Sequence, residues 1–193
     1  MRIVAGQFRG RALASVGKGD AGAHLRPTTD RVRESLFNVL AHTGALPEAR
    51  VLDLFAGTGA LGLEALSRGA AHVTFVDDGR AAQSLIRKNI EITRSATQTN
   101  LLRRDATRLP QNPYAAYTLI FLDPPYGKNL GQKALNAALE GGWIADDALI
   151  VWEENQPMAA PDGFSLHDQR KYGDTHISLM WRDHISKADA QHA

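Results

Sequence analysis

The sequence predicts an α/β protein with a mostly parallel β-sheet and an antiparallel hairpin at its C-terminal end. Between Arg50 and Trp152, short apolar runs typical of strands alternate with amphipathic runs typical of helices. Most of the strand runs are largely apolar, which is typical of a parallel sheet covered on both faces. The two β-like runs that follow flank a short turn, which predicts a hairpin.

The composition is that of an ordinary globular protein and excludes several functional classes. Of the 193 residues, 44% are hydrophobic, and 22 Lys and Arg stand against 21 Asp and Glu. This length suits one domain, or one domain with an appendage, and the composition argues against wholesale disorder. The absence of cysteine excludes disulfides, thiol catalysis and cysteine-based zinc sites. No apolar run reaches the roughly 20 residues that span a bilayer, so we expect a cytoplasmic protein with no membrane partner.

The predicted elements follow one another in a simple order. Residues 3–8 and 11–16 form a small hairpin or an irregular arm, and residues 17–22 form a glycine-rich loop. A helix follows, capped by Thr29 or Asp30 and ended by Gly44. The predicted strands cover 50–55, 72–76, 100–104, 117–122 and 148–152, the predicted helices cover 60–68, 80–93 and 130–139, and the hairpin strands cover 163–170 and 175–181. We therefore expect a basic arm at 1–25, one α/β domain at 26–182 and a disordered tail at 183–193.

A glycine-rich turn joins the first strand to the next helix, in the run Asp53-Leu54-Phe55-Ala56-Gly57-Thr58-Gly59. Gly57 and Gly59 permit a tight turn and a close approach of the backbone to a ligand. The start of the following helix also offers N–H groups that have no partner within the helix. Glycine spacing alone is a weak signal, because the same residues also shape turns that bind nothing.

Three acids at the ends of three successive strands strengthen this signal. Asp53 and Asp77 close the first two strands, and Asp105 follows the third. The carboxyl ends of parallel strands meet at one edge of the sheet, where open α/β folds bind ligands. Asp77 lies about 20 residues after Gly57, where an acid typically binds ribose hydroxyls, and Asp53 suits a cationic amine. Each acid alone is also typical of a solvated surface, but their joint placement is harder to explain in that way. A ligand that bears an amine, a ribose and an adenine and carries no phosphate is S-adenosylmethionine.

A second motif, Asp123-Pro124-Pro125-Tyr126, follows the fourth strand. The two prolines make the turn rigid and leave its carbonyl groups as acceptors, although such dipeptides also end strands with no further role. Asp123 and the Pro124 carbonyl can accept both hydrogens of an exocyclic base amine, while Tyr126 stacks on the ring. The amine lone pair would then face the methyl donor, so that positioning and electrostatics supply most of the acceleration.

Together these motifs resemble those of class I S-adenosylmethionine-dependent amino-methyltransferases, and three further segments narrow the resemblance. The segments are Ile3-Val4-Ala5-Gly6-Gln7-Phe8-Arg9-Gly10-Arg11, the run from Arg26 to Asn38, and Lys171-Tyr172-Gly173-Asp174-Thr175. Over residues 1–182 the chain is similar to the bacterial RsmD family, which methylates the N2 amine of a guanine in 16S ribosomal RNA. The resemblance implies a Rossmann-like, seven-stranded sheet in which the final hairpin places an antiparallel strand.

The resemblance also implies which residues form the sites. The cofactor site would be lined by Asp53, Phe55, Gly57, Gly59, Asp77, Asp105 and Ala106, and the target guanine would be held by Asp123, Pro124 and Tyr126. The cofactor would be S-adenosylmethionine, with S-adenosylhomocysteine as the product, and no metal is expected. In one departure, Asp77 stands where the family more often has Glu, so either Asp77 or Asp78 would bind the ribose.

The positive charge is concentrated at the N-terminal end. The total charge of +1 argues at first against a nucleic-acid partner, but residues 1–33 hold seven Lys and Arg against two Asp, a local charge of +5 that leaves −4 for the rest. Such segregation predicts a surface for a polyanion. The candidate RNA contacts are Arg9, Arg11, Arg26, Arg31, Arg33, Lys171 and Tyr172. The alternative is that the arginines are solvated or pair locally with Asp30 and Glu34.

Three other functions are weighed against 16S rRNA methylation. An amino-methyltransferase for adenine in DNA or for a protein amide often carries Asn at the position of Asp123 and needs a recognition region for which 193 residues leave little room. A non-catalytic ribosome-assembly factor does not require the intact glycines and Asp-Pro-Pro-Tyr. An NAD-dependent oxidoreductase is disfavoured by Asp53. We expect a monomer whose partner is 16S rRNA, either naked or within the small subunit or an assembly intermediate.

Overall fold

The protein is described by a computed structural model that covers residues 1–15 and 29–184. The predicted loop at 17–22, the candidate RNA contact Arg26 and residues 185–193 of the predicted tail lie outside the described residues. In the part of the chain that is described, no helix is long and apolar enough to cross a membrane.

The centre of the molecule is one seven-stranded sheet. The strands are β1 (Arg50–Leu54), β2 (His72–Val76), β3 (Thr99–Leu102), β4 (Tyr117–Leu122), β5 (Ile144–Glu154), β6 (Phe164–Tyr172) and β7 (Thr175–Arg182). They lie in the order β3-β2-β1-β4-β5-β7-β6. Strands β1 to β5 pair in parallel, whereas β7 is antiparallel to both β5 and β6. The predicted fold is thereby confirmed, including the antiparallel strand that the final hairpin inserts.

The direction in which the chain crosses the sheet reverses between β1 and β4. From β1 the chain moves outward through β2 to β3, and it then returns to place β4 on the other side of β1. In open α/β sheets, ligands bind beside the carboxyl ends of the strands at this kind of switch point. The glycine turn follows β1 and the Asp-Pro-Pro-Tyr turn follows β4, so both motifs lie at the switch point.

Among the described residues, four helices cover the sheet, close to their predicted bounds. They are α1 (Asp30–Thr43), α2 (Ala60–Ser67), α3 (Arg80–Thr93) and α4 (Leu130–Glu140), with short 3₁₀ turns at Ala96–Gln98 and Ala106–Arg108. The hydroxyl of Thr29 caps α1 by accepting from the Val32 amide, and Gly44 ends the helix with φ of 73°. Residues of α1, α2 and α3 share one apolar core with β4 residues Leu119 and Phe121, while α4 packs with Ile120 and Leu122 on the other face.

The N-terminal arm is packed into the body of the protein. Its ends are closed by an antiparallel bridge between Arg2 and Ala12, and the Ile3 amide donates to the Arg11 carbonyl at 3.0 Å. Ile3, Phe8 and Leu13 are buried in the same apolar core as α1 and α2. Residues 1–15 thus form turns closed by one isolated bridge, and burial of their apolar side chains attaches them to the α/β domain.

Candidate active site

Two hydrogen bonds join the glycine turn after β1 to the end of β2. The Gly57 amide donates to Oδ2 of Asp77 at 2.9 Å, and the Ala56 amide donates to the Val76 carbonyl at 3.1 Å. Gly59, which begins α2, has φ of +75°, and a Cβ there would lie 3.2 Å from the Phe75 ring. Glycine is therefore needed at this residue both for its backbone conformation and for the packing of α2 against the sheet.

Asp53 is a buried carboxyl group directly beneath this turn. Only 1% of the residue is exposed, and its Oδ2 accepts from the Gly62 amide at 3.0 Å. Burial raises the pKa of Asp53 to about 8 although the Gly62 amide opposes the shift, and the charge of Asp77 adds to it. A bound cation would favour the ionised form of this group, so Asp53 has the chemistry that an amine-bearing ligand requires.

Asp77 holds the loop around it in place. Its two oxygens accept from the amides of Gly57 and Gly79 at 2.9 and 2.8 Å. Burial raises its pKa although both amide donors oppose the shift. Asp78, by contrast, is exposed. Of the two candidates for the ribose, Asp77 is the one whose carboxylate is oriented by the glycine turn.

Asp105 and Ala106 lie where the chain leaves β3. Oδ1 of Asp105 accepts from the amide and the hydroxyl of Thr107, at 2.8 and 2.7 Å, and so caps the 3₁₀ turn that follows. Ala106 is buried in the core on the α4 side, whose partly buried members include Phe55. The predicted cofactor residues thus occupy the carboxyl ends of β1, β2 and β3, which are adjacent strands.

The Asp-Pro-Pro-Tyr turn lies beside the end of β1. The Asp123 amide approaches the Leu54 carbonyl at 3.4 Å, which continues the β1–β4 pairing into the turn. Burial raises the pKa of Asp123 well above its usual value, and the charges of Glu153, Asp53 and Glu154 raise it further. Pro124 is buried. Acceptor groups from the ends of β1 and β4 thus meet at the switch point of the sheet.

The ring of Tyr126 is held by two residues that were not predicted as site residues, Glu153 and Thr175. Its hydroxyl donates to Oε1 of Glu153 at 2.9 Å and lies 3.3 Å from Oγ1 of Thr175. Glu153 is the penultimate residue of β5 and is 7% exposed, and Thr175 begins β7. Glu153 follows an apolar strand, as the three predicted acids do, but the predicted strand ended one residue earlier at Trp152.

The candidate RNA contacts are divided between exposed and packed positions. Arg9, Arg31 and Lys171 are exposed. Arg11 is half-buried, with its guanidinium 5.0 Å above the Phe8 ring and Nη1 donating to the Ile92 carbonyl at 3.0 Å. The Tyr172 hydroxyl lies 2.9 Å from Oγ of Ser35, a contact that joins the final hairpin to α1.

The expectation that Arg33 contacts RNA is not supported, because the side chain is fully buried. Its Nη2 lies 2.8 Å from Oδ1 of Asp30 and donates to the Arg2 carbonyl, and its Nε lies 3.5 Å from Glu64. Glu64 also accepts from the Val4 amide. Arg33 therefore neutralises a buried acid and attaches the N-terminal arm to α1 and α2.

A second basic surface was not predicted, because its positive charge is offset by acids elsewhere in residues 34–193. Residues 80–108 hold seven Lys and Arg against Glu91 and Asp105, a local charge of +5. All seven are exposed: Arg80, Arg87, Lys88, Arg94, Arg103, Arg104 and Arg108. Arg80 and Arg87 are seven residues apart, and Arg94, the residue after α3, is seven further along, so the three lie along one side of the helix.

A class I methyltransferase is the kind of protein that this fold and this site define. The family model described as Conserved hypothetical protein 95 matches residues 1–181. The chain is 38% identical to Ribosomal RNA small subunit methyltransferase D of Escherichia coli (strain K12), over 98% of this chain and 94% of that protein. It therefore belongs to this family, the RsmD family of methyltransferases.

Two further comparisons agree with that assignment. Ribosomal RNA small subunit methyltransferase D of Haemophilus influenzae is 36% identical over 90% of this chain and 89% of its own length. The solved structure of the Escherichia coli methyltransferase yhhF superposes with a TM-score of 0.80 at 36% identity, over 96% of this chain and 99% of that one. The similarity thus covers both motifs, the N-terminal arm and the final hairpin.

Proposed function

We propose that this protein transfers a methyl group from S-adenosylmethionine to the exocyclic N2 amine of a guanine in 16S ribosomal RNA. The relatives named above supply the substrate class. The observation that carries the chemistry is the position of Asp123 and Pro124, on a rigid turn beside the buried Asp53 and followed by an aromatic ring held by Glu153. This arrangement suits a flat, amine-bearing base.

The cofactor residues at the carboxyl ends of β1 to β3 fit S-adenosylmethionine, which supplies a methyl group carried on a sulfonium sulfur. Asp53 would hold the amine, because it is a buried carboxyl group whose ionised form a cation favours. Asp77 would hold the ribose, because its carboxylate is oriented by Gly57 and Gly79. Phe55, Gly57, Gly59, Asp105 and Ala106 would line the remainder of this site.

The target amine must be made nucleophilic, because its lone pair is delocalised into the guanine ring. Asp123 and the Pro124 carbonyl would accept its two hydrogens and turn the lone pair toward the methyl group. The N2–C bond forms as the S–C bond breaks, so the sulfonium becomes a neutral thioether. The methylated nitrogen then loses one proton, which Asp123 or water takes up. Tyr126 would stack on the guanine ring and keep the amine aligned with the methyl group.

The RNA would cross two basic surfaces. The first, the hairpin surface, consists of the exposed residues Arg9, Arg31 and Lys171 together with the half-buried Arg11 and Tyr172. Support for its position comes from two contacts: Tyr172 joins the final hairpin to α1, and Thr175 of the same hairpin reaches Tyr126. The second, the α3 surface, consists of Arg80, Arg87 and Arg94. We infer a monomer that acts in the cytoplasm, on naked rRNA or on a partly assembled small subunit.

The direct test is to label small-subunit RNA from a strain that lacks this protein, using tritiated S-adenosylmethionine. The wild-type protein is expected to produce N2-methylguanosine at one nucleotide, identified by mass spectrometry after nuclease digestion. Asp123→Ala is expected to abolish labelling and to keep cofactor binding, whereas Asp162→Ala, which changes an exposed acid before β6, is expected to label normally. Labelling of DNA or protein alone, or of an adenine, would contradict the proposal.

A further inference from the structure

We propose that Glu153 makes the site specific for guanine by accepting a hydrogen bond from the N1–H of the target base. This role rests on the proposed guanine-N2 activity and adds a specificity-determining residue to it. It differs from the roles of Asp123 and Pro124, which hold the amine that reacts.

The position of Glu153 follows from the register of two neighbouring strands. Trp152 of β5 lies opposite Leu122 of β4, so the next residues on the two strands, Glu153 and Asp123, stand side by side beyond the last registered pair. The electrostatics agree with this position, because after burial the charge of Glu153 is the largest cause that raises the pKa of Asp123. Two acidic side chains therefore face the place where the base would lie.

The hydrogen bond from Tyr126 fixes the direction of the Glu153 side chain. The hydroxyl that donates to Oε1 of Glu153 belongs to the ring proposed to stack on the base. The contact with Thr175 holds the same hydroxyl from the other side. Ring and carboxylate are thus positioned as one unit. A carboxylate has about four lone-pair sites, so accepting from Tyr126 leaves it able to accept from a base as well.

The chemistry of the two acids matches guanine and opposes adenine. On the Watson–Crick edge of guanine, the N2 amine lies next to N1–H, so two adjacent positions are hydrogen-bond donors. In adenine, the amine lies next to an N1 that carries a lone pair, and a carboxylate would repel it. An ionised carboxylate only accepts hydrogen bonds, and the two adjacent donors of guanine would favour the ionised forms of Asp123 and Glu153 over their protonated forms. Glu153 would therefore discriminate by attraction to guanine and by repulsion of adenine.

A simpler role for Glu153 is to orient Tyr126 and nothing more. The two roles differ in one measurable respect. If Glu153 only orients the ring, its loss lowers methylation of every base that carries the amine at position 2. If it accepts from N1–H, its loss changes the preference between bases that differ at N1.

The test uses two RNA substrates, one with guanine and one with 2-aminopurine at the target nucleotide, prepared by ligation and assembled identically. 2-Aminopurine has the same N2 amine, but its N1 is an acceptor. We expect the wild-type protein to methylate the guanine RNA about tenfold or more faster in kcat/KM. Equal rates on the two RNAs would overturn the assignment without any variant being made.

Glu153→Gln then weakens the preference for guanine, because the amide can donate to N1 of 2-aminopurine. We expect the ratio of 2-aminopurine to guanine methylation to rise about tenfold or more relative to wild type, with unchanged cofactor affinity measured by calorimetry as the check on folding. Glu154→Gln, which changes the neighbouring acid, is expected to leave this ratio unchanged. An unchanged ratio in Glu153→Gln would assign the residue to orienting Tyr126. Absence of N2-methylguanosine from the wild-type reaction would overturn the proposed function itself.

Discussion

The hydroxyl of Tyr126 donates to Oε1 of Glu153 at 2.9 Å, and this bond joins the turn after β4 to the end of β5. Thr175 of β7 lies 3.3 Å from the same hydroxyl. The ring proposed to stack on the base is thus held by the two strands that follow β4 in the sheet, one parallel and one antiparallel. The final hairpin, which includes β7, is in this way part of the proposed active site.

Removal of the Tyr126 ring should cost more than removal of its hydroxyl. Tyr126→Ala loses stacking that is worth roughly 1–3 kcal/mol per base, so we expect kcat/KM to fall by about 5- to 150-fold. Tyr126→Phe keeps the ring and should reduce kcat/KM by less. Steady-state kinetics on the guanine RNA measure both effects, and Tyr114→Phe, at an exposed tyrosine, is the control. Equal losses in the two Tyr126 variants would contradict the stacking role.

The stability of the protein without cofactor should fall as pH rises. In the folded state burial raises the pKa of Asp53 to about 8, while in the unfolded chain it is about 4. The folded state therefore holds a proton that the unfolded state releases, and the free energy of unfolding decreases between those two pH values. Asp53→Asn should weaken this dependence. Urea unfolding from pH 5 to pH 9 measures it, and Asp162→Asn should retain the wild-type profile.

S-adenosylmethionine should stabilise the protein more strongly at high pH than at low pH. A bound amine favours the ionised form of Asp53, and that form is scarce below the folded pKa. We therefore expect the increase in melting temperature at saturating cofactor to grow between pH 6 and pH 9. A thermal shift that is independent of pH in the wild-type protein, or that grows equally in Asp53→Asn, would contradict the proposed pairing of Asp53 with the amine.

Arg33 and Arg31 should behave in opposite ways although they are two residues apart on α1. Arg33→Ala leaves Glu64 as a buried acid with fewer partners, so we expect a loss of about 3–5 kcal/mol in the free energy of unfolding. Arg31→Ala, at an exposed position, should change stability by less than about 0.5 kcal/mol and weaken RNA binding. Urea unfolding and filter binding measure the two quantities. A stable Arg33→Ala protein with weakened RNA binding would reverse our assignment.

The α3 surface should contribute to RNA affinity by binding phosphate groups. Arg87→Gln combined with Arg94→Gln is expected to weaken binding and to reduce the slope of log affinity against log salt by about 0.7–0.9 for each phosphate that is no longer neutralised. Lys133→Gln is the control, because Lys133 is an exposed cation on α4, which packs on the other face of the sheet. Equal effects of the double variant and the control would mean that the α3 surface does not bind the RNA specifically.

Periodicity and short motifs in the sequence determine most of the fold. Fully apolar runs such as Leu119 to Leu122 predict parallel strands because both faces of the sheet are covered. The acids Asp53, Asp77 and Asp105 are predicted to be neighbours because the carboxyl ends of parallel strands meet at one edge. These are local patterns combined with a general rule of α/β folds, so the linear sequence suffices to predict them.

Only the tertiary structure decides which charged residues are exposed and which distant elements contact each other. Arg33 lies three, four and seven residues before Leu36, Phe37 and Leu40, on the buried side of α1, but only the packing of α2 brings Glu64 to it and compensates for that burial. Glu153 and Tyr126 are 27 residues apart and meet because β5 extends beyond its predicted end next to β4. Pairing of such distant groups depends on strand register and helix packing, which no single segment of the sequence specifies.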